Sequence, residues 1–285
     1  MRLIDWNIQW GRDASGRVEL ARTVAQARAL ADFDVWCVQE LTRGFAALPG
    51  GPGPDQFAEL AALLPGYTVI EAIAVDLPPA AGGVARRQFG NAIATRLPVG
   101  RVLRHMLPWP AEAGTPSMPR IALEVNLCGA GGPLRIVTTH LEFYSAAQRL
   151  AQVDALREQH REAAGHAHRP APAETPDGPF AGSARALDAI VCGDFNSAYR
   201  DDAYRRITAP IAGAPDLVDA WVQAHPGQTP PPTAGVYDTE QWQDGAMTCD
   251  FVFVTDTLAK RIVRCEIDGA TRASDHQPIL LELRD

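Results

Sequence analysis

The 285-residue sequence contains no apolar run near the roughly 20 residues that a membrane-spanning helix requires, which argues against a membrane protein. Its opening, Met1-Arg2-Leu3-Ile4-Asp5-Trp6-Asn7, lacks the long apolar centre and small-residue cleavage site of a secretory signal and alternates like a strand instead. A cytoplasmic protein is the expectation. Cysteine is sparse: Cys37, Cys128, Cys192, Cys249 and Cys265 are odd in number, widely spaced and never in a Cys-x-x-Cys pair. That pattern speaks against a disulfide framework or a cysteine-rich metal site. Cys37, Cys192 and Cys249 sit in apolar strand-like runs and read as buried reduced thiols. Positive charge is in deficit, 26 Lys and Arg against 34 Asp and Glu, a net of -8. A protein that coats nucleic acid needs a basic face, so that role is disfavoured. A nuclease is not, because carboxylates gathered around a cation add formal negative charge that the cation offsets. Also missing are a Gly-x-x-x-x-Gly-Lys-Ser/Thr phosphate loop, a His-Glu-x-x-His pair, a Gly-x-Ser-x-Gly elbow, internal repeats and coiled-coil heptads.

What is present is an ordinary globular composition, 46% hydrophobic and 21% charged, long enough to bury a large core. Residues 2–8, 34–39, 67–75, 91–96, 100–107, 120–127, 134–139, 187–192, 249–254, 261–266 and 279–283 read as strands. Residues 17–31, 55–64 and 145–164 read as helices, the last with Leu150, Val153 and Leu156 on one stripe. Many strands with few long helices predict an α/β fold of two packed sheets with helices outside. Residues 1–285 are expected to form one catalytic domain, interrupted by a Pro/Ala/Gly-rich exposed insertion at about 165–183.

Polar residues with catalytic potential recur at strand ends. Asn7 ends the first strand, Glu40 the run Val35-Trp36-Cys37-Val38-Gln39, and His140 the run Ile136-Val137-Thr138-Thr139. Asp194 and Asn196 follow Ala189-Ile190-Val191-Cys192-Gly193, Asp250 opens an apolar strand, and Asp275-His276 precede the final one. Each alone has a bland explanation as a turn, a cap or a solvated carboxylate. Asp250 beside apolar residues is the exception, because an unpaired buried carboxylate is costly. Seven such placements at corresponding ends of successive strands point to a shared site. Hard carboxylate and amide oxygens suit Mg²⁺ or Mn²⁺, and Glu40 is the leading direct ligand.

With these residues the chain resembles the endonuclease/exonuclease/phosphatase superfamily. The matching pieces are Asp5-Trp6-Asn7-Ile8, Val38-Gln39-Glu40, Gly90-Asn91-Ala92-Ile93-Ala94, Thr138-Thr139-His140-Leu141, Cys192-Gly193-Asp194-Phe195-Asn196-Ser197, Asp250-Phe251-Val252-Phe253-Val254 and Ser274-Asp275-His276-Gln277-Pro278. They follow the family's order across nearly the whole chain, and Gln148, Arg149 and Gln152 in the helix after His140 also fit it. The resemblance implies a DNase I-like four-layer α-β-β-α sandwich of mostly antiparallel sheets. It implies a metal-dependent phosphoesterase, with Asn7 beside the metal or its waters and Asp275 as a further ligand. Asp194 would orient and deprotonate the attacking water, and Asn196 would hold a phosphate oxygen or the carboxylate. His140 and His276 would face the developing charge, and Asp250 would orient His276. Family members are read with either this aspartate or this histidine as the base.

The substrate is expected to be a phosphodiester, with a short or single-stranded nucleic acid or a nucleotide favoured and no membrane or protein partner indicated. Arg86 and Arg87 could steer a phosphate, and Trp109, Tyr237 and Trp242 could stack on a base, although a solvated charged loop and ordinary loop anchoring are the favoured readings. His166 and His168 have no companion ligands in sequence and are not expected to bind metal. The competing readings are a phosphomonoesterase, a sphingomyelinase-like phospholipid hydrolase and a non-catalytic binding protein on the same fold. Neither the Trp-Cys-Asp-Arg motif of inositol-polyphosphate phosphatases nor the Gly-Asp-Leu-Asn or Gly-Asp-Trp-Asn of abasic-site endonucleases is matched by Thr248-Cys249-Asp250-Phe251 and Gly193-Asp194-Phe195-Asn196.

Overall fold

Alternation along a strand sends Leu3, Asp5 and Asn7 to one face of the first strand and Ile4 and Trp6 to the other, and every one of them is buried. A strand covered on both faces belongs in the middle of a layered fold, and the computed structural model places it there. The structure describes residues 1–129, 131–170, 172, 178, 180, 185–238 and 241–284. The first half contributes strands β1 (Arg2–Asn7), β2 (Val35–Arg43), β3 (Thr68–Leu77), β4 (Arg87–Thr95), β5 (Val99–Met106) and β6 (Ile121–Gly129). The second half adds β7 (Gly132–His140), β8 (Ala189–Asp194), β9 (Leu217–Asp219), β10 (Asp250–Thr255), β11 (Ile262–Ile267) and β12 (Ile279–Leu283). The helices are α1 (Leu20–Leu30), α2 (Gln56–Leu63), α3 (Ala146–His168), α4 (Asp202–Ile207), α5 (Ala220–Ala224) and α6 (Asp256–Ala259).

Two six-stranded sheets result, ordered β11-β12-β1-β2-β4-β3 and β5-β6-β7-β8-β10-β9. Each has a single parallel pair at its centre, β1 with β2 and β7 with β8, and antiparallel pairs elsewhere. The inner faces share one apolar layer that includes Leu3, Val35, Ile93, Leu123, Ile136, Ile190 and Val252. Outside the first sheet, Leu20, Val24 and Ala27 of α1 and Phe57 and Leu60 of α2 cover Trp6, Trp36 and Val38. Outside the second, Val153 and Leu156 of α3 and Tyr204 and Ile207 of α4 cover Val137, Val191 and Phe253. The order is therefore α-β-β-α, as expected. Asp55 and Ser145 fix the starts of α2 and α3 by accepting hydrogen bonds from the Ala58 and Gln148 amides. Among the described residues no helix is long and apolar enough to cross a membrane.

Two expectations are corrected. β2 does not stop at Gln39 but runs on to Arg43 through a bulge: Val38 pairs with Ala92 and Leu41 with Gly90, so Gln39 and Glu40 together face Asn91. The helix expected to end at 164 continues to His168, so residues 165–168, with His166 and His168, are helical rather than part of an insertion. Gly165 carries no turn there, and Ala163 and Ala164 are still packed. Residues 171, 173–177, 179 and 181–183 of the expected insertion lie outside the described residues. The short elements β9, α4, α5 and α6 span only 3 to 6 residues each, too few to show a periodicity.

A buried charge cluster ties α3 to the second sheet. Glu124 of β6 accepts two hydrogen bonds from Arg185, at 3.0 and 2.9 Å, and lies 3.6 Å from Arg135 of β7. Burial disfavours its charge, but His105, Arg185 and Arg135 hold the carboxyl down to about 2. Arg135 in turn faces His160 Nδ1 of α3 at 2.5 Å, while His160 Nε2 meets the Pro215 carbonyl at 2.9 Å. Burial and Arg135 lower His160 to about 4, so the ring is neutral, with Nδ1 accepting and Nε2 donating. Replacing Glu124 by Gln should cost about 3 kcal/mol in urea unfolding, because buried Arg135 loses its counter-charge and Arg185 keeps only the exposed Glu162. Glu158→Gln in the exposed α3 pair with Arg161 should barely move the midpoint.

Candidate active site

Parallel neighbours run toward the same edge of a sheet, so the two central pairs bring three strand ends, those of β1, β7 and β8, and the bulge of β2 to one mouth between the sheets. Asn7 and Glu40 come from one sheet, His140 and Asp194 from the other, where they stand opposite each other in register. Asp250 begins β10 directly opposite Asp194, and Asp275 and His276 lie in the turn before β12. All eight residues singled out in the sequence are therefore brought together.

The backbone is shaped for this. Glu40 adopts φ +66° at the bulge and Asn196 φ +47°, conformations that non-glycine residues seldom take. Gly193 has φ +136°, and a Cβ there would sit 1.9 Å from the Thr139 carbonyl, so only glycine lets β8 lie this close to β7.

The side chains form one connected network. Asn7 Nδ2 donates to Glu40 Oε1 and to Asp194 Oδ2, both at 3.0 Å. Asp194 Oδ1 also accepts the Asn196 amide at 2.8 Å. His276 Nδ1 lies 2.9 Å from Asp250 Oδ2 and its Nε2 lies 3.8 Å from Asp194 Oδ2. His140 Nε2 stands 3.5 Å from Asp194 Oδ2 and 3.8 Å from Glu40 Oε1. The Asn196 side-chain amide donates to the Leu141 carbonyl at 2.9 Å, which fixes the loop after His140. Asp275 accepts from Gln9 Nε2 at 3.0 Å and from the Trp242 indole at 3.2 Å.

Electrostatics divides the two histidines. Burial works against a charge on His276, but Asp250, Asp275 and Asp194 raise it well above the usual histidine range, so it is an imidazolium. Burial together with Arg120 and His276 holds His140 well below that range, so it is neutral. Its Nδ1 is buried without a partner. Burial, with the charges of Asp275 and Asp194, raises Glu40 to about 7. Burial and Asp250 raise Asp194 as well. The charged His276 offsets only part of this crowding of carboxylates, and Glu40, His140 and Asp194 hold ligand atoms within 4.8 Å of one another. The donor set fits a hard divalent cation.

The model of the Endonuclease/Exonuclease/phosphatase family matches residues 6–276. The chain belongs to that family. Its members hydrolyse phosphoesters and generally use a divalent metal. Solved structures agree in fold. An endonuclease/exonuclease/phosphatase from Beutenbergia cavernae is 24% identical with a TM-score of 0.66, over 100% of this chain and 71% of its own. A mannosyl-6-phosphatase from Bacteroides thetaiotaomicron is 17% identical with a TM-score of 0.64, over 100% of both chains. A 3′ phosphatase from Neisseria, solved with a product DNA hairpin, is 17% identical with a TM-score of 0.62, also over 100% of both. No curated protein matches in sequence.

At this candidate site, sequence reasoning missed Gln9 and Arg120 and gave Trp242 a different role, that of a stacking surface. Gln9, Trp242 and Arg120 lie in irregular segments where periodicity says nothing. Gln9 and Trp242 hold Asp275, and Arg120, buried beside Glu142 at 3.3 Å, lends its charge to the His140 side. The expected stacking set does not form a platform. Trp242 is buried edge-on against His276 at 5.5 Å, Tyr237 donates to the Gly269 carbonyl under Arg272, and Trp109 donates to Ser117. Arg86 pairs with Asp76, and Arg87 covers Phe45 and donates to the Pro78 carbonyl, so both serve the β3–β4 hairpin.

Because Glu40 rises to about 7 in the folded chain from about 4.5 unfolded, the folded state binds more protons in that window. Its stabilising contribution is full below pH 4.5 and is lost as pH rises through 7. In chelator, Glu40→Gln should therefore melt progressively higher than wild type as pH goes from 5 to 8. Added Mg²⁺ should reverse that order at pH 8.

Proposed function

We propose that the chain is a Mg²⁺- or Mn²⁺-dependent hydrolase in which water attacks a phosphodiester in line, and that residues 1–285 act as one catalytic unit. The observation that carries this reading is the junction of Glu40, Asp194, neutral His140 and charged His276 at one mouth. A bound Mg²⁺ or Mn²⁺, held by Glu40 with Asn7 and Asp275 alongside, would act as a Lewis acid for the phosphoryl and departing oxygens.

The protein groups divide the rest. Asp194 Oδ2 orients a water and takes its proton as the water oxygen bonds to phosphorus. The opposite P–O bond breaks, and its electron pair leaves with the ester oxygen. Asn7 fixes that carboxylate from one side and the Asn196 amide from the other. A raised Asp194 suits a general base, since its proton affinity approaches working pH. His276, kept charged by Asp250, donates toward a phosphoryl oxygen, and His140 Nε2–H approaches from the other sheet. The division resembles other sites where paired groups are pushed apart in proton affinity.

A nucleotide or a short or single-stranded nucleic acid is the favoured substrate, because a net charge of -8 disfavours a long duplex track. Two observations support a second reading, phosphomonoester hydrolysis: the similar Bacteroides and Neisseria proteins both carry phosphatase names. The five cysteines, all free, support a cytoplasmic setting.

Hydrolysis of bis-p-nitrophenyl phosphate should require Mg²⁺ or Mn²⁺ and stop in chelator. Asp194→Asn and His276→Ala should each lower kcat by at least ~10²-fold while melting cooperatively. Full activity in excess chelator, or near-wild-type rates in both folded variants, would contradict the assignment. Parallel kinetics on p-nitrophenyl phosphate decide between the readings, with a higher kcat/KM for the diester expected.

A further inference from the structure

The loop that follows His140 carries two exposed aromatic residues, Phe143 and Tyr144, 43% and 63% exposed. Large apolar side chains left open to water beside a catalytic mouth call for an explanation. Their placement supplies one. The Phe143 ring stands edge-on to Trp242 at 6.2 Å, and Trp242 stands edge-on to His276 at 5.5 Å. Tyr144 packs edge-on against Phe143 at 4.8 Å. An aromatic wall thus runs outward from His276 to the rim, with Trp242 buried and the last two rings accessible.

The wall is rigid. Arg149 Nη1 donates to the carbonyls of Glu142 and Phe143 at 2.6 and 3.0 Å. Gln152 Oε1 accepts the Glu142 amide at 2.8 Å, and Glu142 Oε1 accepts the Tyr144 amide at 3.0 Å. The Trp242 indole is anchored on Asp275. A surface whose backbone is tied at every residue loses little entropy when a flat ligand lies on it.

We propose that Phe143 and Tyr144 form the subsite for a planar aromatic ring of the substrate, a nucleobase carried by the same ester whose phosphate sits at Asp194 and His276. The proposal deepens the hydrolase reading and rests on it. Stacking on an aromatic face tolerates any base, so the wall favours base-bearing esters over sugar or alkyl esters without reading sequence. It replaces the set Trp109, Tyr237 and Trp242 as the stacking surface.

The test is calorimetric titration, at fixed Mg²⁺, with a nucleoside 5′-phosphonate whose P–C bond cannot be hydrolysed, and with the same phosphonate lacking its base. Wild type should bind the base-bearing compound at least about tenfold more tightly. Tyr144→Ala combined with Phe143→Leu, which keeps an apolar contact to Trp242, should erase that difference and leave the affinity for the baseless compound unchanged. Tyr144→Phe should retain it. Equal affinities in wild type, or a difference that survives the double variant, would overturn the subsite. Failure of wild type to hydrolyse any phosphoester would instead overturn the hydrolase reading, and the titration would still judge the wall.

Discussion

One amide group holds the site together. Asn7 Nδ2 donates at 3.0 Å to Glu40 in its own sheet and at 3.0 Å to Asp194 across the gap, so a single NH₂ joins the carboxylates of two sheets. Asp194 is buried and Glu40 partly so, and both are pushed upward in proton affinity, Glu40 to about 7. Two donor hydrogens cannot neutralise two carboxylates with Asp275 and Asp250 close behind. The geometry is therefore organised but electrostatically incomplete, and a divalent cation of the kind the family generally uses would complete it.

That junction depends on topology. Each sheet has its parallel pair at its centre, so the ends of β1, β7 and β8 and the bulge of β2 point to one edge. The antiparallel strands on either side then deliver Asp250 from a strand start and Asp275 and His276 from the turn before a strand. The apolar layer between the sheets sets their spacing, and the outer helices close the two remaining faces. The candidate site is a consequence of how the layers stack, and Phe143 and Tyr144 lie on the loop that leaves its edge.

Much of this was legible in the sequence because strand ends are marked by a change from apolar to polar residues. Asp194, Asn196, Asp250, Asp275 and His276 stand at such changes, and the strand-rich pattern gave the layered sandwich. Glu40 was found for an incomplete reason. It looked like the end of a strand, whereas it occupies a bulge with φ +66° inside a longer one. A bulge depends on the partner strand and leaves no local pattern. Gln9 and Arg120 were missed, and Trp242 was given another role, because their roles come from tertiary proximity alone. The helix end at His168 was misplaced because Gly165 and the histidines resemble a loop in composition, whereas helical hydrogen bonding runs on through the exposed histidines to the Arg169 amide, which donates to the Gly165 carbonyl. The sequence pointed to the Asp250–His276 pair but not to the neutral state of His140, since Arg120 acts on His140 from a distant segment.

The most direct test of the account is a crystal soaked in Mn²⁺ and measured at the manganese absorption edge. The account predicts an anomalous peak touching the Glu40 carboxylate within the Asn7, Asp194 and Asp275 cluster, and loss of that peak in Glu40→Gln. A wild-type crystal in saturating Mn²⁺ with no peak there, or with its peak away from Glu40, would contradict it.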